Sequence, residues 1–166
     1  YNFRYVLELM RNASPKKQGE IRWLIGAAEP DIMEEFALLD SEFLQEMVRV
    51  LATEKSILVK GVAAMPVLLS TCGTARVSSQ SIGAESIPML LSAISETTKD
   101  LGESDEASDE SVFLRMLTSI LAGKADLFPE AHRVLLDLAV NLELPLRARL
   151  EAWRSLRSIQ TRDMKP

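Results

Sequence analysis

The sequence predicts an all-α fold of antiparallel helix pairs packed side by side. Three observations predict it: apolar residues recur at helical spacing in successive segments, glycine and proline fall mainly between those segments, and no run sustains a two-residue polar/apolar alternation. An irregular globular helical bundle satisfies the same stripes and stands as the alternative. The 166 residues, 47% hydrophobic and 26% charged, suffice for one domain with a proper core and argue against wholesale disorder.

The elements follow in order. Phe3, Val6, Leu7 and Met10 mark an opening helix that runs to about Asn12, before the Ser14-Pro15 break. Ile21, Leu24 and Ile25 mark a second, short one ending near Pro30. Asp31 caps a third, with Ile32, Met33, Phe36 and Leu39 behind it. Ser41 precedes a better-defined helix with a broad stripe of Phe43, Leu44, Met47, Val48 and Leu51. The segment from Ser56 to Cys72 is apolar almost all round, through Ile57, Leu58, Val62, Ala63, Val67 and Leu68, which places it between layers. Pro66 removes a backbone donor inside it and should kink it, and Gly73 supplies the stop.

Residues 74–84 are polar and Ser-rich, a loop. Pro88 suits a first helical turn, and Met89, Leu90, Leu91, Ile94 and Leu101 continue the stripe to Gly102. Residues 103–110 form an acidic loop with no apolar residue large enough to enter a core. Val112, Phe113, Met116, Leu117, Ile120 and Leu121 make the next helix, closed by Gly123. Pro129 opens a helix through Val134, Leu135, Leu138 and Leu142, and Pro145 opens the last, with Leu146, Leu150, Trp153, Leu156 and Ile159 on its inner side. The clearest helices pair as 41–53 with 56–72, 85–101 with 111–122, and 129–142 with 145–161. Short connections favour antiparallel neighbours, and stacking the pairs buries the faces that each alone exposes.

One pattern returns within this series. Val59-Lys60 is followed by Ala63 and Val67, and Ala148-Arg149 by Ala152, Leu156 and Ile159. The interval from 59 to 148 is about two repeats of the ~40 to 47 residues typical of HEAT and armadillo units. A small apolar residue and a cation opening an Ala-rich helix resembles the second helix of a HEAT-type repeat, so roughly half of the chain is similar to the HEAT/armadillo family. The resemblance implies a right-handed stack of helix pairs, an alpha-solenoid, presenting a concave or ridge surface to protein partners. The middle pair departs from the pattern, since Leu114-Arg115 has Thr118 and Leu121 in the following slots.

Catalytic vocabulary is sparse. The chain holds one cysteine, Cys72, and one histidine, His132, which excludes an internal disulfide framework and a histidine-rich metal site. Glu130, Arg133 and Asp137 neighbour His132 in sequence, but no nucleophile accompanies it. Cys72 on an apolar helix reads as a small packed hydrophobe. Glu34-Glu35 and Asp40-Glu42 lack the spacing of a metal or paired-acid site. The seven glycines form neither G-x-G-x-x-G nor G-K-[ST]. No catalytic, cofactor or metal residue is assigned, and a non-enzymatic role is expected. Lys60, Pro66 and Gly73 interrupt the longest apolar run, so no membrane span is expected. The chain opens inside an apparent helix at Tyr1 and ends at Lys165-Pro166 without a closing motif. It reads as a single helical domain, 1–166, within a longer protein of the cytoplasm or nucleus.

Recognition features carry more. The net charge of −5 is uneven: from Arg133 onward seven Lys/Arg stand against four Asp/Glu, and before it twelve against twenty. On the last helix Arg147, Arg154, Arg157 and Arg162 fall within an arc of roughly 140°, a basic ridge beside an apolar face. Trp23 and Trp153 are expected in the core or half-buried, and either becomes an interface anchor if exposed. An exposed Tyr1-Phe3-Tyr5 would mark a face for a preceding repeat. The acidic loop offers a docking segment for a basic partner, a strap for the ridge, or modification at Ser104, Ser108 or Ser111. The expected function is a protein-interaction module, a scaffold or adaptor segment using Arg147, Arg154, Arg157, Arg162 and Trp153. The expected partner is a protein, through an acidic segment or an amphipathic helix. A regulatory domain supporting a neighbouring enzyme, or phosphate-backbone binding through the ridge, are the alternatives.

Overall fold

A computed structural model describes residues 3–27, 41–71, 82–101 and 108–163, with side chains described within 3–25, 41–71, 82–101 and 108–160. All regular structure among them is helical: α1 (Phe3–Arg11), α2 (Pro15–Ala27), α3 (Ser41–Thr53), α4 (Ile57–Ser70), α5 (Ser86–Lys99), α6 (Asp109–Lys124), α7 (Pro129–Val140) and α8 (Leu146–Asp163). The helix expected over 31–39, with Glu34, Glu35 and Asp40, lies outside the described residues. So do Cys72, Gly73, most of the 74–84 loop and residues 103–107 of the acidic loop.

Capping chemistry sets the starts of α4 and α6. The Ser56 hydroxyl accepts the Val59 N–H at 3.4 Å and opens α4. At α6, Ser108 Oγ accepts the Ser111 N–H at 3.1 Å while Ser111 Oγ accepts the Ser108 N–H at 2.9 Å, a reciprocal box. Asp109 and Glu110 occupy the first turn that follows, where carboxylates suit the positive helix end. The acidic loop is therefore shorter than expected, because its last two acidic residues are helical.

Packing places α4 and α6 at the centre. α4 pairs with α3 and contacts α6; α6 in turn contacts α5, α7 and α8. α5 packs beside α3, and α7 packs on α8. The row α4, α6, α8 is thus in serial contact, with α3, α5 and α7 as its pair mates. The buried faces of these three helices include small and apolar residues at helical spacing: Val59, Ala63 and Val67 on α4, Leu114, Thr118 and Leu121 on α6, and Ala148, Ala152, Leu156 and Ile159 on α8. Full burial of each large aliphatic side chain contributes about 1.5–3 kcal/mol. The buried hydroxyl of Thr118 donates to Leu114 O at 3.1 Å, so it is buried without an unmet bond.

Gly123 does not close α6, which continues to Lys124. A Cβ on it would lie 2.5 Å from Thr71 Cβ and 2.8 Å from the Thr71 carbonyl oxygen, so its role is to let the end of α6 meet the chain just past α4. α4 runs through Pro66 to Ser70. On the opposite side, α1 and α2 pack against α4. Buried Gln18 joins them: its Nε2 donates to Met10 O at 2.8 Å, and its Oε1 accepts the Ser56 hydroxyl at 3.0 Å. Arg4 grips Glu46 of α3 through two nitrogens at 2.7–3.2 Å and lies 5.2 Å from the Phe43 ring centroid, beside an edge-on Phe3–Phe43 pair. Burial works against the Arg11 charge, but bonds to Glu8 and Glu54 outweigh it and push its pKa above the ordinary arginine value.

Candidate functional site

The last helix pair carries the site because of how α8 is rotated. Its buried positions are Ala148, Glu151, Ala152, Ser155, Leu156 and Ile159, spaced three and four apart. Small side chains bring the helix close to its neighbours, and Glu151, 1% exposed, turns inward to meet Arg115 of α6. Two parallel bonds at 3.2 Å join that carboxylate to Arg115 Nε and Nη2, and Arg154 Nη1 approaches it at 3.5 Å.

This rotation corrects the expected inner face. Leu146, Leu150 and Trp153 do not point inward; they are 56%, 47% and 52% exposed. At about 100° per residue Leu150 falls between Arg154 and Arg157, so it belongs to the basic side of the helix. Trp23 is likewise 72% exposed rather than packed in the core. Of the tyrosine-rich start, Phe3 is buried against Phe43 and Tyr5 is exposed, while Tyr1 lies outside the described residues.

Leu150, Trp153, Arg154, Arg157 and Gln160 line one wall of a groove of about 820 Å³, with Leu156 and Ile159 at its apolar base. His132 and Leu136 of α7 form the other wall. Of the predicted ridge, then, Arg154, Arg157 and Trp153 converge on one concavity. Arg147 is half-buried and is not among the lining residues. Arg162 sits in the last turn of α8, and its side chain lies outside the described residues.

No protein-family model, curated protein or solved structure matches the chain.

Chemically the groove offers apolar surface, two guanidinium groups, an imidazole and an amide. His132 has no hydroxyl, thiol or carboxylate beside it among the lining residues. Among the described residues no group of three His, Cys, Asp or Glu could hold a metal ion, and no helix is long and apolar enough to cross a membrane. The modification candidates also sort themselves. Ser111 is buried in the capping box, Ser108 is exposed but holds the helix start, and Ser104 lies outside the described residues. Asp109 pairs with Arg22 of α2 at 3.0 Å, so this end of the acidic stretch is tied to α2 rather than to the ridge.

Sequence reasoning assigned three lining residues to the site, Trp153, Arg154 and Arg157, and did not assign His132, Leu136, Leu150, Leu156, Ile159 or Gln160 to it. The signal for Leu150 was present in its helical angle. Glu151 was legible only as an acid among the arginines of α8, and its burial depends on Arg115, far away in sequence.

Proposed function

We propose that the chain is a non-enzymatic protein-interaction module, a scaffold or adaptor segment of the HEAT/armadillo-like kind that receives a protein partner in the α7–α8 groove and along its basic edge. The observation that carries this reading is Trp153, half-exposed on a groove wall between Arg154, Arg157 and Leu150. Tryptophan and arginine are the residue types that most often anchor interfaces, and a solvent-facing tryptophan beside an apolar groove has little role in stability.

The helical-repeat part of the proposal is supported by the serial contacts of α4, α6 and α8, with α3, α5 and α7 as pair mates. It is supported also by the residues behind the resemblance: Val59, Ala63 and Val67 occupy on α4 the kind of buried position that Ala148, Ala152 and Leu156 occupy on α8. Leu114, Thr118 and Leu121 fill the same role on α6 despite the altered spacing. A rigid stack of this type holds a groove in shape before a partner arrives, which reduces the entropy lost on binding. Guanidinium groups on the rim accelerate encounter with an acidic surface and reject a basic one. A reducing compartment, cytoplasm or nucleus, suits a chain with a single cysteine.

Affinity capture from cell extract tests the proposal, with the native chain beside folded Arg154→Glu/Arg157→Glu and Trp153→Ala variants. Proteins retained by the native chain and lost by both variants are the expected result. An identical set with all three removes the groove from the function.

A further inference from the structure

We infer that the α7–α8 face is a contact between two copies of this chain, in which the second copy lays its α8 antiparallel against the first about a two-fold axis through Leu150. The inference rests on the docking reading above and names the occupant.

Six of the thirteen large apolar side chains exposed among the described residues belong to the last helix pair: Leu136 and Val140 of α7, Leu142 in the turn, and Leu146, Leu150 and Trp153 of α8. Leu156 and Ile159 extend the base of the groove to the level of Arg157 and Gln160, so apolar lining runs its whole length. Leu146, Leu150 and Trp153 follow i, i+4, i+7 spacing, the arrangement that meets a second helix along its length. At about 100° per residue, Leu150 lies about 160–180° round the helix from Ala152 and Ile159, so this stripe points away from the core. The stripe is also where the helix row stops. α4 has α6 on one side and α1 and α2 on the other, α6 lies between α4 and α8, and the substantial contacts of α8 are with α6 and α7.

Area and symmetry select a second copy. The six side chains expose roughly 500–600 Å² of mainly apolar surface, the upper end for the largest patch on a monomer. A two-fold contact buries that patch twice, about 1,000–1,200 Å² before any rim is counted, which reaches the size of a specific interface. The stripe is self-complementary about Leu150. In an antiparallel pair Leu150 meets itself, and Leu146 of each copy meets the turn of the other that carries Trp153 and Arg154. The arginines are not set against themselves: at 1.5 Å per residue the two copies of Arg154 stand about 12 Å apart along the helices and those of Arg157 about 21 Å, beyond the ~8–10 Å screening length. Arg154 also shares the buried Glu151 with Arg115. The pairing continues the row from α8 of one copy into α8 of the other and closes it, since both copies use the same face.

Sedimentation equilibrium of the whole chain tests the inference. It should give a monomer–dimer equilibrium with a dissociation constant of about 10–100 μM, the weak affinity of a contact with few polar bonds at its rim. Leu150→Gln and Trp153→Ala should each raise that constant at least about fivefold, with the melting midpoint of dilute, monomeric protein unchanged. Leu24→Gln, at an exposed position of α2, should leave it as it is. A cysteine tests the axis itself. With helix axes about 8–10 Å apart and each Cα about 2.3 Å from its axis, the two copies of residue 150 come within about 4–6 Å, the reach of a disulfide. Leu150→Cys, with Cys72→Ser so that the new thiol is the only one, should therefore cross-link two copies under copper–phenanthroline oxidation. Ser92→Cys, at an exposed position of α5 in the same background, should not.

A chain that stays monomeric through that concentration range overturns the inference. So does a dimer that Leu150→Gln and Trp153→Ala leave intact, association that continues past the dimer, or cross-linking from Ser92→Cys as readily as from Leu150→Cys. A monomeric chain that captures a different protein in a Trp153-dependent way leaves the docking reading standing and removes only the second copy. Capture by a monomeric chain that is indifferent to Trp153 removes the reading itself.

Discussion

Removing Arg115 and removing Glu151 break the same ion pair, yet they should differ sharply in cost. Arg115→Ala leaves a carboxylate that is 1% exposed with only the 3.5 Å approach of Arg154 for compensation. An uncompensated buried charge costs about 3 kcal/mol, at the low end of the usual range because Arg154 remains. For a domain of this size that corresponds to a fall of roughly 6–12 °C in melting midpoint. Glu151→Met instead leaves two guanidinium groups whose side chains are 53% and 57% exposed, and water solvates them. A methionine of similar volume fills the space, so the expected cost is under about 1 kcal/mol. The assay is urea and thermal unfolding followed by circular dichroism, for both single variants and the double. In the Glu151→Met background Arg115→Ala should cost nearly nothing. Equal costs for the two single variants, or a larger one for Glu151→Met, would refute the argument that a desolvated carboxylate is what the pair protects.

Three further outcomes follow from the packing. Gly123→Ala should lose about 1–3 kcal/mol in denaturant titration, because the new methyl meets the Thr71 side chain and backbone at under 3 Å. Ser108→Ala should cost about 1 kcal/mol by removing the α6 cap, and helix-end amides of α6 should lose hydrogen-exchange protection first. Trp153→Ala and Leu150→Gln should each change stability by no more than about 0.5 kcal/mol, and the native tryptophan emission should shift little on unfolding because Trp23 and Trp153 are both exposed.

The all-helical class was legible in the sequence because periodic apolar stripes and Gly/Pro punctuation agreed over most of the chain. Val59, Ala63, Ala148 and Ala152 were correctly read as packing positions, since small residues at four-residue spacing have few other uses. The orientation of α8 was not recovered. A leucine and a tryptophan at helical spacing suggest a core face, but the buried face is the less hydrophobic one, built from two alanines, a serine and a buried glutamate beside Leu156 and Ile159. Close approach of helices favours small residues, and Glu151 enters only because Arg115 meets it. Gly123 misled in a similar way: its sequence position suggested a stop, whereas the close approach of Thr71 explains it. The acidic stretch was read as one loop because composition alone does not register a capping box, and Ser108 with Ser111 starts a helix two residues earlier. At the site, Arg154, Arg157 and Trp153 were reachable from helical geometry, while His132 and Leu136 join them only through the packing of α7 on α8.

The central claim is that the α7–α8 groove is where a protein partner sits, and site-specific photo-crosslinking tests it most directly. A photoreactive amino acid at Gln160, on the groove wall, should capture a discrete partner in cells, and the same residue at the exposed Glu96 of α5 should not. Partner peptides cross-linked from Gln160 and lost on adding Trp153→Ala would establish the groove as the docking site. The same capture from both positions, or capture from Glu96 alone, would contradict the account.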